Sequence, residues 1–280
     1  MKEFRNKVAV ITGAASGIGR AIAGRCVNEG MKVVLADIED LALAKAEQEL
    51  KASGASVLAV RTDVSKADEV ETLAQKTLDA FGAVHLLFNN AGVGAGSTIW
   101  ESTLADWQWV IGVNLWGVIH GIRIFVPLML SQDTECYIVN TASIAGLLPY
   151  HPTCTYQVTK HAVVALSENL YYSLAKRNAK IKTSVLCPGW VKTQILDCGR
   201  NRPAELQNEP MNAQLEQEDE AVKQMFLHAI EAGVSPHQVA DDVFKAIQAE
   251  QFYILTHREF NPTIQKRMQN ILFQRNPVLE

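Results

Sequence analysis

Lys7-Val-Ala-Val-Ile-Thr-Gly-Ala-Ala-Ser-Gly-Ile-Gly19 predicts a strand, a tight turn and a helix in immediate succession. The apolar start has the length of a buried strand, and apolar residues recur at helical spacing after the last glycine. Gly13, Gly17 and Gly19 would let the backbone approach a pyrophosphate, whose charge is stabilised by the free N–H groups at a helix N-terminus. Taken alone, the pattern also fits an ordinary connection between a strand and a helix.

Asp37 strengthens the dinucleotide interpretation. The apolar run at 32–36 predicts a buried strand that ends at this carboxylate, eighteen positions after Gly19. Such an acid can accept hydrogen bonds from the adenine ribose hydroxyls and repels a 2'-phosphate. Asp37 could also cap the next helix, and the two roles are compatible. NAD is favoured over NADP, because no cation stands at the neighbouring positions Ala15, Ser16, Ala36 and Ile38.

Strands and helices continue to alternate, with a strand at 57–61, a helix at about 66–81 and a strand at 85–88. This alternation predicts an α/β protein with a parallel sheet covered by helices on both faces. Asp63-Val64 and Asn89-Asn90-Ala91-Gly92 follow the third and fourth strands, at the edge where such sheets bind ligands. Ordinary turn chemistry is the alternative explanation for these residues.

Composition narrows the class of protein. The chain has 280 residues, 48% of them hydrophobic, and a formal net charge of -4 with dispersed Lys and Arg, so a single domain is expected and nucleic acid is not an expected partner. No signal peptide or membrane span is predicted. The five scattered cysteines have no metal-ligand spacing, so we predict a cytoplasmic protein with reduced thiols and no metal site.

The second half carries candidate catalytic side chains. Asn114 is polar within an apolar helical pattern at 103–130, and Ser143 follows a predicted strand on the ligand-binding edge. Tyr156 and Lys160 stand at i and i+4, so on a helix they project from one face. An ammonium beside a phenol favours the phenolate, which would make Tyr156 a proton acceptor. The spacing alone is also common among surface residues.

Six motifs in order resemble the short-chain dehydrogenase/reductase family over about residues 7 to 193. They are Thr12-Gly13-xxx-Gly17-x-Gly19, Asn89-Asn90-Ala91-Gly92, Asn114, Ser143, Tyr156-xxx-Lys160 and Pro188-Gly189. The resemblance implies a three-layer, doubly wound Rossmann fold with a mostly parallel seven-stranded sheet, assembled as a homotetramer or homodimer. The glycine spacing is unlike the GxxGxxG of the longer epimerase branch.

The resemblance also implies a role for each motif. Ser143 would bind the substrate oxygen, and Tyr156 would exchange its proton while hydride moves to or from the nicotinamide. Lys160 would keep Tyr156 acidic and bind the nicotinamide ribose, and Asn114 would hold a water that links Lys160 to solvent. The implied cofactor-binding residues are Gly13, Ser16, Gly17, Ile18, Gly19, Asp37, Asp63, Val64, Asn90, Ala91, Gly92, Tyr156, Lys160, Pro188, Gly189, Val191 and Thr193. Cys187 has no adjacent base and is expected to be packing.

Two segments fall outside the strongest part of this resemblance. Residues 195–235 are polar at first and then amphipathic around Phe226 and Ile230, and in family members this region is a variable lid over the substrate. Its acidic run at 216–220 is expected to be a solvated helix face. The tail at 259–280 has apolar residues at helical spacing and is expected to dock on its own domain or on a neighbouring subunit.

The substrate is predicted to be a hydrophobic secondary alcohol or ketone. Residues placed near it by position are mostly apolar and include no arginine, although Arg200 or Arg202 of the lid could still reach it. These positions are Gly94, Ala95, Ile144, Leu147, Tyr150, His151, Trp190, Ile195 and Leu196. Two alternatives remain at this point: an NADPH-dependent carbonyl reductase and a non-catalytic dinucleotide-binding sensor or scaffold.

Overall fold

The computed structural model describes residues 1–148, 154–209 and 213–277, and within 213–222 only the course of the helix. The described residues form one parallel sheet in the order β3-β2-β1-β4-β5-β6-β7. Its strands are β1 Val8–Thr12, β2 Lys32–Asp37, β3 Val57–Arg61, β4 Leu86–Asn89, β5 Cys136–Thr141, β6 Ile181–Cys187 and β7 Tyr253–Leu255. The strand order reverses between β1 and β4, which opens a crevice at their carboxyl ends.

Helices cover both faces of this sheet. They are α1 Gly17–Asn28, α2 Asp40–Ala52, α3 Ala67–Phe81, α4 Leu104–Ile111, α5 Gly117–Gln132, α6 Cys154–Lys176, α7 Ala213–Ala232, α8 Pro236–Ala249 and α9 Asn261–Leu272. Alternate strand residues point to opposite faces, so Ala9 and Ile11 pack with α1, α2 and α8, whereas Val10 packs with α3, α5 and α6. The predicted three-layer Rossmann fold is confirmed.

A π-helical turn at Gly112–Trp116 joins α4 to α5 and contains Asn114. The predicted helix over 103–130 is therefore confirmed, with one widened turn inside it. By length and composition alone, Leu104–Gln132 could cross a membrane, since its most apolar window has a mean hydropathy of 1.5. Its buried Phe125 and Met129 pack on the sheet, which is sufficient to explain that composition. The absence of a membrane span stays a prediction.

Two ion pairs tie the segment after β6 to the rest of the molecule. The segment begins with short 3₁₀ turns at Ile195–Asn201 and Ala204–Leu206 and continues into α7. Arg200 Nη2 lies 2.6 Å from Glu39 Oε1, and Arg202 Nη1 lies 2.7 Å from Asp106 Oδ1. The helix predicted around Phe226 and Ile230 is present, and the predicted helix in the tail is α9.

Candidate active site

A cavity of about 600 Å³ opens at the carboxyl ends of the central strands. It brings together residues that are more than a hundred positions apart in the chain, such as Asp37 and Tyr156. Of the cofactor-binding residues predicted above, those that line it are Gly13, Ser16, Gly17, Ile18, Asp37, Asp63, Val64, Asn90, Ala91, Gly92, Tyr156, Lys160, Pro188, Gly189, Val191 and Thr193. The motifs therefore converge on one site.

The glycine turn forms a floor that side chains would block. Gly13 and Gly17 have φ of 65° and 53°, in the left-handed region that favours glycine. A Cβ on Gly13 would lie 2.9 Å from the Cα of Ala91. Gly19 does not line the cavity, and a Cβ there would lie 2.1 Å from the carbonyl oxygen of Gly13. Gly19 thus allows α1 to start directly against the turn, and its contact with the cofactor stays a prediction.

Asp37 lies at one end of the cavity. Its Oδ2 accepts from Ala15 N at 2.9 Å and its Oδ1 from Glu39 N at 3.1 Å. Burial raises the pKa of Asp37, and these two backbone hydrogen bonds oppose the rise. Each oxygen keeps a free lone pair, so the carboxyl can accept from hydroxyl groups that enter the cavity. Asp37 does not cap α2, whose N-cap is Glu39.

Thr12 holds the ends of β1 and β4 together beside the glycine turn. Its Oγ1 accepts from Asn90 N at 2.9 Å and Ala91 N at 3.1 Å, and its carbonyl oxygen accepts from Asn90 Nδ2 at 3.0 Å. The Asn90 side chain therefore has a structural task as well as a place on the cavity wall. This arrangement explains why threonine and asparagine stand at these two strand ends.

Ser143, Tyr156 and Lys160 meet on the wall at the other end of the cavity. Lys160 Nζ lies 5.4 Å from the centre of the Tyr156 ring and donates to the carbonyl oxygen of Thr141 at 2.9 Å. Ser143 Oγ donates to the carbonyl oxygen of Pro188 at 3.3 Å, a long contact that a better acceptor can replace.

Burial dominates the protonation of these groups. It raises the pKa of Tyr156 to about 12, although the hydrogen bond to Ser143 acts in the opposite direction. It lowers the pKa of Lys160 to about 8, because an ammonium loses hydration in a site that is only 3% exposed. Lys160 is not among the groups that shift the pKa of Tyr156 in the protein by itself, and its expected role in keeping Tyr156 acidic stays a prediction. Tyr156 holds its proton at neutral pH and can donate it.

Asn114 lies behind the cavity wall and is fully buried. Its Nδ2 donates to Val93 O at 2.9 Å and Thr159 Oγ1 at 3.2 Å, and its Oδ1 accepts from Val93 N at 2.8 Å. A Cβ on Gly92 would lie 3.4 Å from Lys160 Nζ and 3.5 Å from Asn114 Oδ1. Because position 92 is glycine, these two polar atoms border the same small space. One lone pair of Oδ1 remains for the water that we predicted.

The substrate predictions are met in part. Gly94, Ile144, Trp190 and Leu196 line the cavity, as do Ala95 and Ile195. Leu147 follows the 3₁₀ turn at Ile144–Gly146, packs against the cluster around Val163 and is not a lining residue, so its contact with the substrate stays a prediction. Tyr150 and His151 lie outside the described residues.

The sequence analysis missed several lining residues. Trp109 and Val93 come from α4 and from the loop after β4, and Glu39 comes from the start of α2. Phe226 and Ile230, which were expected to cover the pocket, do line it. Arg200 and Arg202 are engaged by Glu39 and Asp106, so neither guanidinium is free for an anionic substrate. The amphipathic pattern of α7 indicated from the sequence that Phe226 and Ile230 could cover the pocket. No sequence pattern indicated the two long-range ion pairs.

The cysteine side chains are buried or partly buried. Burial raises the pKa of Cys187 to about 12, which fits a packing role. All five cysteines are free thiols. Among the residues that the structure describes, no group of three or more His, Cys, Asp or Glu side chains is placed to hold a metal ion.

Known proteins resemble this chain over its whole length. Residues 7–203 match the model of the short chain dehydrogenase family. A short chain dehydrogenase/reductase from Burkholderia phymatum, solved in complex with NAD, superposes with a TM-score of 0.95 at 48% identity and covers 100% of this chain and 99% of that one.

Two curated relatives add enzymes of named activity. A CLA biosynthesis dehydrogenase/reductase from Lactiplantibacillus plantarum is 37% identical, over 97% of this chain and 95% of that protein. An (S)-acetoin-forming diacetyl reductase from Staphylococcus epidermidis is 36% identical, over 69% of this chain and 74% of that protein. With the match to the family model, these similarities show that the chain belongs to the short-chain dehydrogenase/reductase family.

Proposed function

We propose that the protein is an NAD-dependent oxidoreductase that interconverts a hydrophobic secondary alcohol and the corresponding ketone. The observation that carries this proposal is the geometry of one cavity. Ser143, Tyr156 and Lys160 stand at one end of it, Asp37 stands at the other, and the glycine turn lies between them. This is the arrangement needed to hold a dinucleotide with its nicotinamide beside a proton donor.

The residues present fit NAD. Gly13 and Gly17 line the cavity at positions where a Cβ would crowd Ala91 and Thr193, and Asp37 would offer acceptors to the ribose hydroxyls. The NAD complex of the similar Burkholderia phymatum enzyme supports the same cofactor. Asn90, Thr193, Pro188 and Val191 also line the cavity. NADP is disfavoured because its 2'-phosphate would meet the Asp37 carboxylate.

The protein side chains would move the proton. The bound dinucleotide would supply hydride to a ketone as NADH and take hydride from an alcohol as NAD⁺. In the reducing direction the ketone oxygen accepts hydrogen bonds from Ser143 Oγ and Tyr156 Oη. As hydride reaches the carbonyl carbon, the Tyr156 proton passes to the alkoxide oxygen. In oxidation the hydroxyl proton passes to the Tyr156 phenolate while the carbon loses hydride. A positive nicotinamide ring nearby would favour that phenolate and offset part of the effect of burial.

Lys160 and Asn114 would restore the proton of Tyr156. Lys160 Nζ and Asn114 Oδ1 border the space above Gly92, which suits a bridging water. A pKa of about 8 lets Lys160 both give and take a proton near neutrality. Lys160 would also reach the ribose hydroxyls of the nicotinamide half.

The walls of the substrate end favour an uncharged, apolar substrate. Ile144, Trp190, Leu196 and Phe226 line that end, while Arg200 and Arg202 are already paired with carboxylates. Two of the similar proteins are a CLA biosynthesis dehydrogenase/reductase and a diacetyl reductase, and diacetyl is an uncharged ketone. Residues 195–235 would act as the lid over this end.

Assembly and location belong to the same proposal. We expect a cytoplasmic homotetramer or homodimer that acts on a small molecule and binds neither nucleic acid nor membrane. Large apolar side chains at the surface, including Trp116, Tyr172 and Leu272, favour contact between subunits. Sedimentation of the purified protein would test this, and a monomer at micromolar concentration would contradict it.

A substrate survey tests the proposed activity. The purified protein is mixed with NADH and a panel of ketones of matched size, some neutral and apolar and some carrying a carboxylate or phosphate. We expect turnover of neutral apolar ketones and little turnover of the anionic ones. Preference for the anionic set would contradict the substrate class. Binding of NADH without turnover of any ketone or alcohol would favour the sensor or scaffold.

A further inference from the structure

The turn Pro188-Gly189-Trp190 forms the wall opposite Tyr156 at the catalytic end of the cavity. Two hydrogen bonds hold its first residue: the carbonyl oxygen of Pro188 accepts from Ile144 N at 2.8 Å and from Ser143 Oγ at 3.3 Å. The next two backbone groups of the turn point away from the cavity. The partners of Gly189 N and Trp190 O therefore determine the position of the turn relative to the cavity.

A single imidazole holds both groups from behind. His257 follows β7 and is 6% exposed. Its Nδ1 accepts from Gly189 N at 3.1 Å, and its Nε2 lies 3.0 Å from the carbonyl oxygen of Trp190. An N–H group can only donate, so Nδ1 carries no proton and the Nε2–H donates to Trp190. The Thr256 hydroxyl, 2.8 Å from Nδ1, then donates to the same nitrogen.

The ring also supports the turn by contact. A Cβ on Gly189 would lie 2.8 Å from His257 Cγ, so the imidazole lies directly against the glycine backbone. On the other side of the turn, Trp190 O also accepts from Val234 N at 3.0 Å. The turn is therefore clamped between β7, the start of α8 and the site, and it cannot retreat from the cavity while His257 is in place.

We propose that His257 is a positioning residue for the nicotinamide half of the cofactor, acting through the Pro188–Trp190 turn. It does not line the cavity itself, so it touches neither cofactor nor substrate. By fixing Gly189 N and Trp190 O, it sets the distance between the turn and the Ser143–Tyr156 wall. This inference rests on the proposed function, because it requires that a nicotinamide binds at this end.

The proposal predicts an effect on binding of the nicotinamide ring only. ADP-ribose keeps the adenosine, the pyrophosphate and the second ribose of NADH and lacks the nicotinamide ring. In His257→Leu both hydrogen bonds are lost, and we expect the affinity for NADH to fall about tenfold, the effect of one to two hydrogen bonds, while that for ADP-ribose changes less than about twofold. The ketone-reduction rate at saturating NADH should fall as well, since hydride transfer depends on alignment.

Two partial variants separate positioning from folding. The Oδ1 of His257→Asn can replace Nδ1 as acceptor for Gly189 N, and the Nε2 of His257→Gln can replace the donor to Trp190 O. Each should recover part of the NADH affinity that the leucine variant loses. His237→Leu, at an exposed histidine of α8, is the matched control and should change neither ligand.

Binding is measured by nicotinamide fluorescence for NADH and by calorimetry for ADP-ribose, with thermal unfolding of each variant. Equal losses for both ligands, or no loss of NADH affinity in any variant, would overturn the proposal and leave the proposed function standing. If wild type binds ADP-ribose but not NADH, the result would contradict both the proposed function and the positioning role of His257. If the leucine variant does not fold, the asparagine and glutamine variants decide the matter by the same comparison.

Discussion

The two ends of the cavity differ in how their polar groups are held. At the catalytic end, defined by Ser143, Tyr156 and Lys160, the groups stand on a long helix and a strand end, and burial shifts the pKa of both titrating groups. At the ribose end, defined by Asp37, Glu39 and Arg200, carboxylates face backbone N–H groups and a partly exposed guanidinium. Burial also raises the pKa of Asp37, but there two backbone hydrogen bonds oppose the rise. In the proposed function the first end would carry the chemistry and the second would select the ligand. Substitutions at the two ends should therefore affect different steps.

Tyr156→Phe should give the largest effect. It removes the proton donor and leaves the cavity shape unchanged, so kcat should fall by roughly 10² to 10⁴, the usual contribution of general acid–base catalysis. NADH affinity should stay within about threefold, because only one hydroxyl group is lost. Steady-state kinetics and fluorescence titration measure the two quantities. Turnover above a tenth of wild type would remove Tyr156 from the mechanism, and a cellular function that persists unchanged would favour the sensor.

Lys160→Met should separate activity from stability at the same end. The folded-state pKa of Lys160 is depressed from 10.5 to about 8, so below pH 8 the folded protein carries a charge that burial disfavours. That cost is fully present at pH 7 and disappears as the pH rises through 8 towards 10.5. Methionine removes it but leaves Thr141 O without its donor, so we expect a net gain on the order of 1 kcal/mol at pH 7 and a loss at pH 10.

Urea unfolding of wild type and Lys160→Met at pH 7 and pH 10 measures this difference. Activity should nevertheless fall by roughly 10² because the proton relay and a ribose contact are lost. Lys176→Met, at an exposed lysine of the same helix, is the control and should show no pH-dependent change. A variant that is less stable at pH 7 than at pH 10, relative to wild type, would contradict the assigned cost of burial.

Asp37→Ala tests how the ribose end selects between NADH and NADPH. The variant loses the acceptors for the ribose hydroxyls and the charge that opposes a 2'-phosphate. NADH affinity should fall about tenfold while NADPH affinity rises, since hydrogen bonds to a charged group contribute about 1.5–3 kcal/mol. The ketone-reduction rate with saturating NADH should change little. Fluorescence titration with both cofactors measures the ratio, and equal or better NADPH binding by wild type would move the carbonyl reductase to first place.

The sequence predicted the residues that local pattern determines. Strand ends carry Asp37 and Ser143, and the i, i+4 spacing places Tyr156 beside Lys160, because period and strand direction fix where such residues lie. The packing of Leu147 after the 3₁₀ turn at Ile144–Gly146 could not be predicted from the sequence, because it depends on which residues the folded chain brings beside it. The amide partners of Asn114 depend on a loop that the sequence does not specify.

Local sequence patterns could not predict the pKa of Tyr156 or the long-range pair of Arg200 with Glu39. The pKa of Tyr156 depends on how much water three separate elements exclude, and spacing on one helix does not contain that information. The pair of Arg200 with Glu39 joins residues 161 positions apart, and many other acids could have taken the place of Glu39. Such contacts follow only after the whole sheet is assembled.

The Glu39–Arg200 pair gives the smallest effect and the sharpest test of the comparison. Arg200 Nη2 and Nε lie 2.6 and 3.3 Å from the two Glu39 oxygens, and Asn201 Nδ2 donates to Glu39 Oε1 at 2.8 Å. The hydrogen bond from Arg200 lowers the pKa of Glu39. Because all three residues border the ribose end or its rim, the pair ties the segment after β6 across that end of the cavity.

Breaking the pair should therefore speed release of NADH without changing hydride transfer. Glu39→Gln and Arg200→Met should each raise the release rate about two- to fivefold, since partly exposed ion pairs contribute roughly 0.2–1 kcal/mol. The double variant should be no faster than either single one, because the two changes remove the same contact. Asp133→Asn, which breaks the exposed pair with Lys180 at 2.8 Å on the opposite edge of the sheet, is the control. Stopped-flow displacement of NADH measures the rates. Additive effects, or a fall in the hydride-transfer rate itself, would mean that the ribose end does more than hold the ligand, and the division between the two ends would fail.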